Sequence, residues 1–136
     1  MNTRSNQLAF LGALLLPLLL ASCGGGGAAT DDDSPEAAAF HFRDGVMSSI
    51  AWKMTRIGGM ASGDVKADDA IFKKDTADLV ALAGMLPEGF IPNSIVKGSI
   101  ALPEIWTNQS DFQAKAKALQ DAAQGLAAAA AQGGVE

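Results

Sequence analysis

The chain of 136 residues is acidic, with fifteen aspartates and glutamates against ten lysines and arginines and a formal net charge of −5, which excludes nucleic acid and anionic membrane surfaces as electrostatic partners. It has one histidine and one cysteine, which excludes an intramolecular disulfide, a CxxC redox pair and any cysteine-clustered metal site. Tyrosine is absent, and alanine, leucine, methionine and lysine dominate over β-branched residues, a balance that favours helices.

The first seven residues carry Arg4 as their only charge, and an apolar run from Leu8 to Leu20 follows. A bilayer span needs about 20 apolar residues, so this run matches the shorter apolar region of an export signal. Leu20-Ala21-Ser22-Cys23 closes it and resembles a bacterial lipobox, in which the cysteine is acylated and becomes the first mature residue. Residues 1–22 are therefore expected to be a lipoprotein signal peptide and Cys23 the lipid attachment site. Cleavage removes one basic side chain and no acidic one, so the lipid, not charge, would hold the protein at a membrane. The resemblance to lipoproteins implies, with Gly24 rather than aspartate after the cysteine, the outer membrane and a periplasmic location. Residues 23–34, with Gly24 to Gly27 and Asp31 to Asp33, read as a polar tether. A phosphate-cradling glycine loop is excluded there, because no strand precedes it and three acids follow.

The remaining residues, 35–136, suit one small domain. Ser34-Pro35-Glu36 is a helix start with cap, first-turn proline and first-turn acid. Phe40, Met47, Ile50, Met54 and Ile57 then share a face, and Gly58-Gly59 is expected to end this first helix. A second helix is predicted from about Asp68 to Leu86 with Ile71, Leu79, Leu82 and Leu86 as its stripe, stopped by Pro87-Glu88-Gly89. Residues 90–107 lack a period and read as a long connection held down by Phe90, Ile91, Ile95 and Trp106. A loop of that length is either functional or a link between distant helix ends. The third helix is predicted from about Gln109 to Gln132, with Phe112, Leu119, Ala123, Leu126 and Ala130 on one face and Gly133-Gly134 at its end. No segment alternates at period two, so the fold class is all-α, an antiparallel helical bundle.

Four segments then carry a resemblance. They are Phe42-Arg43-Asp44-Gly45-Val46-Met47 in helix one, Leu86-Pro87-Glu88-Gly89-Phe90 after helix two, Leu102-Pro103-Glu104-Ile105-Trp106 before helix three, and Phe112 with Leu119 inside it. Together they resemble the cytochrome c prime family of exported four-helix haem proteins, in order and spacing over about residues 36–136. The resemblance implies that Arg43 lies near the haem propionates, that Met47 covers the face of the iron without a protein ligand, and that Asp44 touches the haem edge. Positions 43 and 47 lie one turn apart on one helix face, so the first two roles are compatible. The family's fourth helix carries a CxxCH motif that attaches haem c and supplies the axial histidine. That motif is absent from this sequence, so haem c is expected conditionally, and the chain is expected to be an incomplete bundle of three helices. Cys23 cannot stand in, being lipidated at the far end of a tether.

Two functions follow as expectations. The first is a periplasmic, membrane-tethered c-type cytochrome that binds haem and iron and either transfers one electron to a redox partner protein or binds a small gas such as nitric oxide. The alternative is a haem-free helical lipoprotein acting as a structural or interaction module, docking a partner helix or forming a homodimer. An enzyme is not expected, since no nucleophile is paired with a base. His41 reads as solvated, lying well around the helix from Met47, because one imidazole cannot define a metal site. Asp64, Asp68, Asp69, Asp75 and Asp78 read as a solvated face, with Lys73 and Lys74 among them and no calcium-loop pattern. Trp52 and Trp106 read as packing residues, Trp106 at the base of the bundle.

Overall fold

The computed structural model describes residues 33–135, so the signal peptide, Cys23 and almost all of the tether lie outside the described residues. Helix α1 (Pro35–Ser62) starts where the Ser34 hydroxyl accepts from the Ala37 N–H at 3.1 Å. It runs through Gly58-Gly59, where the sequence reading ended it, and stops at Gly63, whose φ of 83° supplies a left-handed cap. The extra turn buries Met60. Gly59 serves the returning chain instead, since a Cβ there would stand 2.8 Å from Val65 Cγ2.

Helix α2 (Asp69–Met85) is capped by Asp68, whose carboxylate accepts from the Ile71 N–H at 3.0 Å, and runs into a 3-10 turn at Leu86–Gly89. A four-residue helix α3 (Glu104–Thr107) interrupts the long connection. Helix α4 (Gln109–Gly133) begins at the Asn108 cap. Its buried residues are Ala116, Ala123 and Ala130, seven apart, and these small side chains let α4 lie close to α2. All described elements are helical, and the chain forms the expected all-α bundle.

The directions follow from the contacts at the helix ends. Asp69, at the start of α2, accepts from the Val135 N–H just beyond α4 at 3.1 Å, so α2 and α4 are antiparallel. Lys53 of α1 reaches Asp75 and Asp78 of α2, while Arg43 reaches Gly89 beyond its end, so α1 and α2 are antiparallel too. Helix α2 lies close to both neighbours, whereas the backbones of α1 and α4 stay further apart. The core forms around Ile57, Met60, Phe72, Leu79, Ala83, Ala123 and Ala130.

Four packing expectations need correction. On α2, Phe72 faces inward and Ile71 is 39% exposed, because Ile71 sits about 80° around the helix from Leu79. On α1, Met47 and Met54 are half exposed, bordering openings described below. Trp52 is 58% exposed, with the Arg56 guanidinium 4.2 Å above its ring, so it is not a core residue. Asp75 is 0% exposed rather than solvated: Lys53 Nζ lies 2.7 Å from it and Arg56 Nε 2.5 Å. That pairing ties α1 to α2.

Candidate functional site

Arg43 is the organising residue at the end of the bundle where α1 begins and α2 ends. On a helix surface an arginine keeps its charge in water, but Arg43 is only 4% exposed. The segment after α2 folds over it and satisfies it. Arg43 Nη1 donates to the Gly89 carbonyl and to Ser94 Oγ, both at 3.0 Å, and Nη2 donates to the Ser94 carbonyl at 2.6 Å and to Ser99 Oγ at 3.0 Å. Phe40, Phe90 and Trp106 surround the guanidinium with ring centroids 5.2, 5.4 and 5.9 Å away. A guanidinium has five N–H donors, and among the described residues only Nε–H makes no hydrogen bond. Among the same residues no carboxylate forms an ion pair with it. Burial lowers its affinity for the proton and the nearby Asp44 charge raises it again. The cation is thus buried without a salt-bridge partner among the described residues.

Gly89 makes this arrangement sterically feasible. A Cβ at that position would stand 2.6 Å from Arg43 Cβ and 3.1 Å from the Ala39 carbonyl, so only glycine lets the turn lie against α1. The connection is also shorter in space than in sequence: the Phe90 and Phe112 rings meet at 4.7 Å, so it joins neighbouring helix ends. Trp106 packs tilted against Phe90 and donates from Nε1 to the Ile91 carbonyl at 2.7 Å. Ile95, expected to hold the segment down, is half exposed. Ser94 and Ser99 do that work through Arg43.

Beside Arg43 a cleft of about 330 Å³ opens between α1 and the segment 99–105. Arg43, Asp44 and Met47 all line it, together with Phe40, Phe90 and Ile105, so the three residues singled out in the sequence stand at one site. Met47 is 50% exposed within that setting. Gly89, Ser94 and Ser99 were not singled out. Gly89 carried a signal, as the glycine of Leu-Pro-Glu-Gly-Phe, but it reads there as a helix stop. His41 is exposed and stacks obliquely on Phe40, and no cluster of metal-ligating side chains occurs among the described residues.

A cleft at one end of a helical bundle, walled by aromatic and aliphatic side chains around a buried cation, can be compared with known proteins. The profile of the family described as Cytochrome C' matches residues 38–136. The chain belongs to the cytochrome c' family. Cytochrome c-554 of Cereibacter sphaeroides is 36% identical over 92 residues, which are 65% of this chain and 60% of that protein. The chain thus spans less than two thirds of the length of that relative. Among solved structures, cytochrome c prime from Shewanella frigidimarina superposes with a TM-score of 0.69 at 34% identity, covering 71% of this chain and 76% of its own. A nitrosyl complex of a cytochrome c prime variant from Alcaligenes xylosoxidans superposes with a TM-score of 0.67 at 28% identity, covering 74% and 78%.

Proposed function

We propose that the cleft beside Arg43 is the open side of a haem site, and that the protein carries one electron or binds a diatomic gas such as nitric oxide rather than acting as an enzyme. The observation that carries this is the buried Arg43 cation, in no salt bridge among the described residues, on the wall of a cleft that is largely apolar apart from Asp44 and Ser99. A flat apolar ring bearing carboxylates complements both properties, because the ring replaces water on the walls and a carboxylate supplies the missing counter-charge. Haem meets that description, and when bound its iron supplies the electron or takes the gas. The nitrosyl complex of the Alcaligenes xylosoxidans variant supports the choice of gas.

In this reading Arg43 would hold a propionate and Asp44 would stand at the haem edge. Phe40 and Ile105 would exclude water, and Met47 would cover the haem from the wall of the cleft. Attachment as haem c needs a CxxCH, which the 136 residues do not contain. Localisation belongs to the same proposal: a lipid on Cys23 would hold the domain in the periplasm, at the outer membrane. A second reading, the haem-free interaction lipoprotein, draws on an apolar groove lined by Ile50, Met54, Leu79, Leu119 and Leu126.

One titration separates the two. Hemin added to the full chain is expected to give a saturating Soret band at about one haem per chain that shifts on exposure to nitric oxide. Replacing Arg43 by Met is expected to weaken binding about tenfold or more, the loss of one charge-assisted hydrogen bond. A chain that shows no saturable Soret change and sediments as a colourless oligomer supports the second reading.

A further inference from the structure

Ser94 is 0% exposed and contributes no atom to the wall of the cleft. It nevertheless holds Arg43 twice, through Oγ to Nη1 and through its carbonyl to Nη2. The Ser94 hydroxyl donates its one proton to the Ile91 carbonyl at 2.8 Å. With the proton committed there, only oxygen lone pairs are left for Arg43, so Oγ is fixed as an acceptor. The Ile91 oxygen also receives the Trp106 Nε1–H at 2.7 Å. A continuous chain therefore runs from Arg43 through Ser94 to Ile91 and Trp106. Of the four hydrogen bonds that the guanidinium donates among the described residues, the two to Ser94 and the one to Gly89 go to buried residues, whereas Ser99 is on the cleft wall.

We propose that Ser94 is a positioning residue for the carboxylate of the cleft's ligand. It fixes the plane of the Arg43 guanidinium without touching the ligand, so the cation meets the carboxylate with its orientation already set. An arginine left free loses rotamer freedom on binding, and one pinned beforehand does not lose it again. The inference rests on the haem reading of the cleft and adds to it the residue that sets the preference for a free carboxylate.

The test uses the full chain carrying Trp52→Phe, so that Trp106 is its only indole, and titrates it with hemin and with hemin dimethyl ester, whose carboxylates are blocked. The parent is expected to prefer hemin about tenfold or more, the scale of a charge-assisted hydrogen bond. Ser94→Ala is expected to lose most of that preference, as Arg43→Met does, while binding the diester as the parent does. Its Trp106 emission is expected to shift, since the Ile91 carbonyl has lost one of its donors. Leu79→Ala, in the core and away from this cleft, is expected to lower the melting temperature and keep the preference intact. Ser94→Ala retaining the preference, or weakening both porphyrins equally as a general structural loss would, overturns the positioning role. A parent that binds both porphyrins equally shows a haem site without the contact between Arg43 and a propionate, and removes the role assigned to Ser94. A parent that binds neither removes the haem reading, and the role of Ser94 falls with it.

Discussion

The contact between Gly89 and Arg43 shows how one hydrogen atom in place of a methyl group can decide a site. Because a Cβ at position 89 would meet Arg43 Cβ and the Ala39 carbonyl, neither of which can rotate away, Gly89→Ala must lift the turn off α1. The lift separates Arg43 from the Gly89 carbonyl and leaves a buried donor short of a partner. We expect a loss of about 1–3 kcal/mol in urea unfolding, as for other overpacking substitutions, together with a change in Trp106 emission. An unchanged unfolding midpoint would show that the turn tolerates the methyl group. Arg43, Asp44 and Met47, singled out in the sequence, line one cleft, because positions 43 and 47 share a helix face. The sequence could not show that Arg43 is buried. Its partners lie 46, 51 and 56 residues away along the chain, and no local pattern encodes them.

Helices, in contrast, were readable close to their ends wherever a side chain caps them, as at Ser34, Asp68 and Asn108. Gly58-Gly59 misled because a glycine pair also serves close packing, and only the position of Val65 distinguishes the two uses. Asp75 was read as solvated because the lysines beside it in sequence lie on its own helix, whereas its true partners, Lys53 and Arg56, come from α1. Those pairings make the α1–α2 contact sensitive to acid. Hydrogen bonds from Arg56 and then Lys53 hold the Asp75 carboxyl below its ordinary range, and those from Lys53 and Lys74 lower Asp78 to about 2. A carboxylate whose folded value is depressed stabilises the fold above its unfolded value, near pH 4, and that contribution is lost as pH falls through the folded value. We therefore expect thermal stability to decline between about pH 4 and pH 2. Asp75→Asn is expected to cost about 1–3 kcal/mol at neutral pH, the cost of removing a buried partner of charged groups, and to flatten that decline. Thermal melts of both proteins across that range check the prediction; parallel curves would place the acid sensitivity elsewhere.

The arrangement of the three long helices explains why the predicted stripes met the core only in part, at Ile57, Leu79, Ala123 and Ala130, while their other members remain apolar outside it. Helix α2 is the common floor, and the backbones of α1 and α4 stay further from each other than either does from α2. Residues at the inner edges of α1 and α4 therefore face the space between them, and a heptad pattern cannot distinguish that position from burial. Met47 borders the cleft, Ile50 and Met54 border the groove, and Leu119 and Leu126 form its other side above Leu79 and Ala83. If this space is open surface, its rim contributes little to stability, whereas a rim belonging to the core would contribute several kcal/mol. The double substitution Met54→Gln with Leu119→Gln decides between them, since both side chains are more than a third exposed. We expect the unfolding free energy to change by less than about 1 kcal/mol, as at two ordinary surface sites. Binding of anilinonaphthalene sulfonate is expected to fall several-fold, because the exposed apolar rim that attracts the dye has become polar. A loss of several kcal/mol with unchanged dye binding would instead mean that α1 and α4 close over α2 in solution.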